Sequence, residues 1–263
     1  MTYLSRIRIN PLRAESRKLL GNPRAMRSVV LHGVPGEATN ERILWRLDAD
    51  NPHRPWLYAL THTKPDWTHL IETAGWPTAE GEHAHVADYQ PLLDRLRTGD
   101  RYAFRVTASP VQNTKKPVKL TTAQKDRAPA LEAAAESQGR RPRSLRLGHR
   151  TSAAQLSWFL NRTQKWGFKI PSTEIEPQIP GIEPDDITTA PEVVVRGRER
   201  LSFGRTDPNT HGTRHPVTIN SATFEGHLEI TDAELFTTTL LAGIGPSKAY
   251  GCGLITLAPL PVS

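Results

Sequence analysis

Two arginines and a lysine-bearing glycine loop are the groups in this sequence best suited to holding a phosphate. Arg24 and Arg27 follow Asn22-Pro23 and stand three residues apart, so on a helix they share one face. Met26, Val29 and Val30 share a different face, the one that would meet a core. A guanidinium stays protonated at any physiological pH, so this pair can bind and neutralise an anion but cannot serve as an ordinary general base. An exposed arginine pair is also what a solvated helix face looks like. The loop runs from Gly243 to Gly253 as Gly-Ile-Gly-Pro-Ser-Lys-Ala-Tyr-Gly-Cys-Gly. Glycines such as Gly245 and Gly251 let backbone amides approach a ligand, and successive amides form an anion-binding nest. Lys248 would add a positive charge. Taken alone, the loop reads either as this nest or as a turn between a helix and a strand. It is not a Walker loop, because the Gly-Lys-Ser/Thr order is missing.

A second set of cations is less ordered in pattern. The segment Gly204–His215 looks like a hairpin tip and carries Arg205 and Arg214. A basic β-hairpin can enter a nucleic-acid groove, and an ordinary exposed turn has the same composition. Between Gln112 and Arg150 stand ten Lys and Arg, among them Lys115, Lys116, Lys119, Arg143 and Arg146, against three acids. That local excess equals the net charge of the whole chain, +7. Such a stretch draws polyanions and binds them with a steep salt dependence.

Metal chemistry finds little support. His83 and His85, or His211 and His215, have ligand-like spacing but no third ligand nearby. The single Cys252 excludes an internal disulfide and Cys-rich zinc sites. No metal and no cofactor is therefore expected. The N-terminus alternates like a strand and lacks the apolar core of a signal peptide. No run of 18 apolar residues suggests a membrane span. A cytoplasmic, soluble protein without a membrane partner is expected.

The elements that must position these groups follow from pattern. Tyr3–Ile9 reads as a strand with Tyr3, Ser5, Ile7 and Ile9 on one face and Leu4 on the other. Arg13–Leu20 suits a helix. Asn22 as N-cap and Pro23 at the first position open a second helix, which Gly33 and Pro35 stop. Arg42–Leu47 and Trp56–His62 read as strands, Asp66–Leu70 as the start of a short helix, and Tyr102–Ala108 as a closing strand. The order strand, helix, strand, strand, helix, strand is ferredoxin-like. The basic stretch follows, with an alanine-rich centre, Ala128–Ala135, that suits a helix. Thr151–Gly167 reads as a helix and Pro171–Pro191, with its five prolines, as a surface loop. Then come strands at Glu192–Arg196, Val217–Phe224 and His227–Ile230, a helix at Asp232–Leu241 capped by Thr231 or Asp232, and a last strand at Gly253–Leu257. The expectation is an α+β protein of tandem ferredoxin-like (βαββαβ) domains. Residues 1–110 would form the first, 111–150 a basic insertion, and 151–263 the second, with the glycine loop.

Several of these segments together resemble the CasE family, within the RAMP superfamily of CRISPR repeat-processing ribonucleases. Phe224-Glu225-Gly226 and the run Gly243 to Pro259 are similar to that family's FEG…GIGPxKxxGxGLLxLAP signature. Tyr3–Arg6, Asn22–Met26, Leu44–Leu47, Lys64–Trp67 and Phe104–Pro110 add to the likeness. The basic stretch and the Pro171–Pro191 loop match less well. The resemblance implies two ferredoxin-like folds in tandem. It implies binding of a CRISPR repeat hairpin and a metal-independent cut at its base, by attack of a 2′-hydroxyl on the adjacent phosphate. It also implies partnership with the mature crRNA and the other subunits of a type I-E Cascade. The family usually carries a histidine one residue after the Met of Asn-Pro-x-x-Met, and some members a tyrosine three residues before that histidine. Here those positions hold Arg27 and Arg24. Arg27 is then expected to clamp the scissile phosphate. His32 is a substitute base if the helix ends before it, since five residues along a helix turn about 140° from Arg27. Lys248, Gly245 and Gly251 would support the RNA, and Arg205 and Arg214 would grip the stem. The competing expectation is a cleavage-deficient subunit that only holds the crRNA. An unrelated RNA-binding protein with paired ferredoxin-like folds is the third.

Overall fold

Alternating burial along the strands, and one apolar face per helix, build two similar sheet-and-helix units. The computed structural model describes residues 1–36, 41–78, 83–114, 145–175, 188–206 and 214–260. In chain order the first elements are β1 (Tyr3–Arg8), α1 (Ala14–Gly21), α2 (Pro23–His32), β2 (Leu44–Asp48), β3 (Trp56–Thr61), α3 (Thr68–Ala74), β4 (Ala84–Asp88) and α4 (Gln90–Leu93). There follow β5 (Arg101–Ala108), β6 (Val111–Thr114), β7 (Leu145–Gly148), α5 (Ser152–Leu160), β8 (Phe168–Lys169), β9 (Ser172–Ile175) and β10 (Thr188–Pro191). The chain closes with β11 (Val193–Thr206), β12 (Arg214–Ile230), α6 (Ala233–Ala242) and β13 (Ile255–Ala258).

The first sheet has the order β2-β3-β1-β4, all antiparallel. The second has β11-β12-β5-β13, with the short β8 also on β12. Each is the sheet order of a βαββαβ unit, so the tandem ferredoxin-like architecture holds. One strand assignment is corrected. Tyr102–Ala108 does not close the first unit; Ala84–Asp88 does, pairing with β1. The strand β5 instead lies at the centre of the second sheet, between β12 and β13. Sheet membership therefore changes between Asp88 and Arg101, ahead of the division at residue 110 expected from the sequence.

Two further corrections concern the second unit. The helix expected over Thr151–Gly167 ends at Leu160, and a 3-10 turn follows at Thr163–Trp166. The ends of the Pro171–Pro191 segment pair as β9 and β10 rather than lying free. The alanine-rich helix expected at Ala128–Ala135 lies outside the described residues.

Two apolar clusters hold the units. Ile7, Ile9, Met26, Val30, Leu57 and Leu70 are buried between the first sheet and its helices. Phe104, Phe159, Phe168, Phe224 and Phe236 fill the second, where Phe159 stacks on Phe224 at 4.5 Å between centroids. Each fully buried ring contributes about 1.5–3 kcal/mol. Leu44 and Leu60 of the first sheet belong to this second cluster, so one face of the first sheet is covered by the other unit. Leu4, on the opposite face of β1 from Ile7, packs there too.

Candidate RNA-binding cleft

Helix α2 brings the first candidate cations into place. The Asn22 side chain caps it, accepting from the backbone N–H of Arg24 at 3.0 Å and Ala25 at 3.4 Å. Met26 and Val30 are buried on its inner face. Arg27 is consequently turned outward, half-buried, and Arg24 is exposed.

The helix packs against the turn Lys248–Tyr250 of the glycine loop. Between them lies a cleft of about 480 Å³. Arg27 and Arg42 line it from the first unit, and Gly245, Pro246, Ser247 and Lys248 from the second. Gly245 has φ +64° and Gly251 φ +81°, in the left-handed region that glycine enters without strain. Space is tight as well: a Cβ on Gly251 would lie 2.8 Å from the Trp45 ring. The loop conformation thus depends on glycine, and it brings Lys248 beside Arg27. Among the described residues, no carboxylate lies within ion-pair distance of Arg27, Arg42 or Lys248. The Lys248 ammonium has its pKa pushed below the ordinary lysine value, by burial first and by the nearby Arg42 second. Three cations in one cleft, none of them ion-paired with a carboxylate among the described residues, fit a phosphate.

Glu41 also lines the cleft. Its carboxylate is engaged by the backbone N–H groups of His62 and Thr63. Neither Glu41 nor Arg42 was singled out from the sequence. Their signal is weak: they stand just before β2, in a segment with no motif of its own.

Not every sequence candidate joins this cleft. The helix does not end before His32; it includes it, and Gly33 is the cap. His32 is exposed and absent from the cleft lining, because five residues of continuous helix carry it round from Arg27. This corrects the condition on which it was a base candidate. Arg24 lies apart, with Nη1 donating to the Gly204 carbonyl at 3.4 Å. That contact ties α2 to the long ribbon formed by β11 and β12. The ribbon is continuous to Thr206 and resumes at Arg214. Val217–Phe224 and His227–Ile230, expected as separate strands, are parts of the single β12. The backbones of Arg205 and Arg214 sit at the ribbon's far end, paired with His215 and Thr206; their side chains lie outside the described residues. Lys115, Lys116, Lys119 and Arg143 lie outside them entirely. Arg146 is described only as a backbone position of β7, paired with Asn113.

Cys252 is fully buried, and burial first, with Glu199 second, pushes its thiol up to about 12. It stays protonated and is no nucleophile. Of the histidines with ligand-like spacing, His83 stacks on Trp76, and among the described residues no three His, Cys, Asp or Glu side chains gather as metal ligands would. No described helix is long and apolar enough to cross a membrane.

A family model described as CRISPR associated protein matches residues 2–259. The CRISPR-associated endoribonuclease Cse3 of Thermus thermophilus is 26% identical over 260 residues, covering 98% of this chain and all of the relative. The Cascade subunit CasE of Escherichia coli K12 is 50% identical over a local stretch of 42 residues, 16% of this chain and 21% of the relative. A solved structure of Cse3 bound to a 19-nucleotide RNA superposes with TM-score 0.65 at 25% identity, over 98% of this chain and 99% of that one.

Proposed function

This chain belongs to the CRISPR-associated protein family, in its CasE type, and on that premise we propose that it binds the hairpin repeat of a CRISPR RNA precursor and cuts it at the hairpin base without a metal. The observation that carries this is the cleft shared by Arg27 and Lys248, where unpaired cations from both units meet a glycine loop. The endoribonuclease name of the Thermus relative, and the RNA in its solved structure, support the class of activity and of ligand. The Cascade name of the Escherichia relative supports partnership with the crRNA and other Cascade subunits, the mature product staying bound.

The chemistry needs no more than an anion site and proton transfer. The 2′-hydroxyl attacks the adjacent phosphorus, and the bond to the 5′-oxygen breaks. A 2′,3′-cyclic phosphate and a 5′-hydroxyl result, one proton leaving the attacking oxygen and one reaching the leaving oxygen. Arg27 and Lys248 stabilise the extra charge on the phosphoryl oxygens. Arg27 cannot take the first proton, and His32 stands outside the cleft. Proton removal then falls to solvent, and cleavage is slow. Arg24 and the ribbon with Arg205 and Arg214 hold the stem, while the basic stretch with Lys115, Lys116, Lys119, Arg143 and Arg146 adds nonspecific attraction.

Arg27 itself favours a second reading. With an arginine where the family usually has histidine, the protein would hold the crRNA without cutting it. A cleavage assay on the host repeat in excess EDTA decides between them. Slow appearance of a product ending in cyclic phosphate supports the enzyme; tight binding without product supports the holder. Arg27→His should raise the cleavage rate by roughly 10²–10⁴-fold, the usual contribution of a positioned general base. No gain would show that the missing histidine does not limit the reaction.

A further inference from the structure

Gly245 and Pro246 of the glycine loop line the cleft and also line a second groove. This groove, about 730 Å³, is walled by Val111, Trp158, Asn161, Arg162, Lys165 and Trp166. Its cations come from the end of α5 (Ser152–Leu160) and the 3-10 turn after it, a region with no motif in the sequence.

Three features set the groove apart from an ordinary basic surface. Trp166 is partly exposed, yet its ring is braced by Trp158 and Phe159 at 5.7 Å and Phe168 at 6.1 Å between centroids. It is a rigid aromatic surface rather than a mobile side chain. Arg162 is also fixed: its guanidinium sits 4.8 Å from the Trp158 ring centroid and donates to the Trp158 carbonyl at 2.8 Å. Lys165 is exposed, and among the described residues no carboxylate lies within ion-pair distance of Lys165 or Arg162. The next lysine, Lys169, is by contrast paired with Glu229 at 2.7 Å.

We propose that this groove binds single-stranded RNA leading away from the hairpin base, with a base stacked on Trp166 and phosphates at Arg162 and Lys165. A fixed ring beside unpaired cations is the arrangement that holds unpaired nucleotides, with little sequence preference. A duplex keeps its bases stacked internally and cannot offer one to an indole face. Because Gly245 and Pro246 line both, the groove lies beside the phosphate cleft. The proposal rests on the hairpin-binding reading, and it extends the RNA path beyond the site of cleavage.

The test compares a host repeat stem-loop with the same stem-loop carrying a single-stranded extension of about eight nucleotides, on the 5′ or the 3′ side. Lys165→Glu reverses an exposed charge outside the core and outside the phosphate cleft. One extension should tighten binding by the native protein about five- to tenfold, and Lys165→Glu should remove that gain while leaving the bare stem-loop unaffected. An extension carrying 5-bromouridine should photocrosslink to the peptide that contains Trp166. Equal gains in both proteins, or crosslinks mapping elsewhere, would overturn the groove assignment. If the stem-loop binds no better than a scrambled RNA, the hairpin reading fails instead. The groove is then tested with a free single strand of about twelve nucleotides: Lys165→Glu must weaken it, and an unchanged affinity refutes the proposal.

Discussion

At the scale of single residues, charge state separates what Arg27 and Lys248 can do. Arginine is charged throughout the accessible pH range. Lys248 is not, because burial and Arg42 both disfavour its ammonium and lower its pKa from the ordinary 10.5. The consequences for folding and for binding have opposite signs. Between the lowered value and 10.5, the folded protein holds fewer protons than the unfolded chain, so Lys248 contributes stability that increases as pH rises through that window. A bound phosphate needs the charged form, so RNA affinity should fall as pH rises through the lowered pKa. Lys248→Arg should hold its affinity to higher pH. Lys248→Met should weaken binding at neutral pH by about tenfold, at the lower end of the 1.5–3 kcal/mol of a charged hydrogen bond. Fluorescence anisotropy against pH measures all three proteins. If native and Lys248→Arg curves coincide, Lys248 does not contact the phosphate. The type of chemistry at this scale was legible in the sequence, since arginine and lysine in motif positions announce an anion site. The perturbation of Lys248 was not, because Arg42 lies about two hundred residues away in the chain and only folding brings it near.

At the scale of elements, local signals read well and non-local pairing did not. The caps at Asn22, Thr151 and Asp232 accept the backbone bonds their positions suggest, because capping is decided within four residues. The strand β4 escaped notice: Ala84–Asp88 carries one large apolar residue, Val86, and it is a strand because β1 pairs with it. The long ribbon escaped for a related reason. Arg198, Glu199, Arg200 and Ser202 are exposed, and only Leu201 and Phe203 alternate with them as partly buried apolar residues, too short a pattern to mark β11 past the sheet. The glycine loop is the element where sequence and geometry agree most closely, and it yields a sharp expectation. Gly251→Ala must place a methyl group in a left-handed conformation and against the Trp45 ring. The strain should cost about 1–3 kcal/mol and displace the adjoining turn that carries Lys248. Thermal denaturation should show the loss, and RNA affinity at a temperature well below melting should fall with it. Native affinity in a destabilised Gly251→Ala protein would separate the loop's shape from the phosphate cleft.

At the scale of the whole molecule, the cleft exists only while the two sheets keep one relative position. Arg46, only 1% exposed, spans the junction from β2. Its Nη1 donates to the carbonyls of Arg105 at 2.8 Å and Leu254 at 3.0 Å, and its Nη2 to the Thr256 hydroxyl at 2.9 Å. Asp48 balances its charge through two bonds, at 2.7 and 2.9 Å. The same carboxylate lies 3.4 Å from Arg105, which reaches on to Asp50 and Glu225. One guanidinium therefore binds the first sheet to two strands or strand ends of the second. The sequence could show Arg46 as part of a family-like segment, but not this role, since its partners stand 59, 208 and 210 residues away. Arg46→Met keeps the bulk and removes the donors. It leaves the Leu254 carbonyl and part of Asp48 without a donor in a buried junction, and leaves the Thr256 hydroxyl and the Arg105 carbonyl only their long bond to each other at 3.5 Å, which should cost about 3–5 kcal/mol. Arg46→Lys should recover only part of this, because an ammonium cannot reproduce the planar set of bonds. Urea denaturation measures the cost, and a change below about 0.5 kcal/mol, the range of an ordinary surface substitution, would refute the latch. A second readout isolates its effect on function. In protein still folded at low temperature, Arg46→Met should weaken RNA binding by more than the unfolded fraction accounts for, because Arg27 and Lys248 come from opposite sides of the loosened junction. Affinity that follows the folded fraction alone would make Arg46 a stabilising residue and leave the cleft geometry to the apolar contacts of Leu4, Leu44 and Leu60.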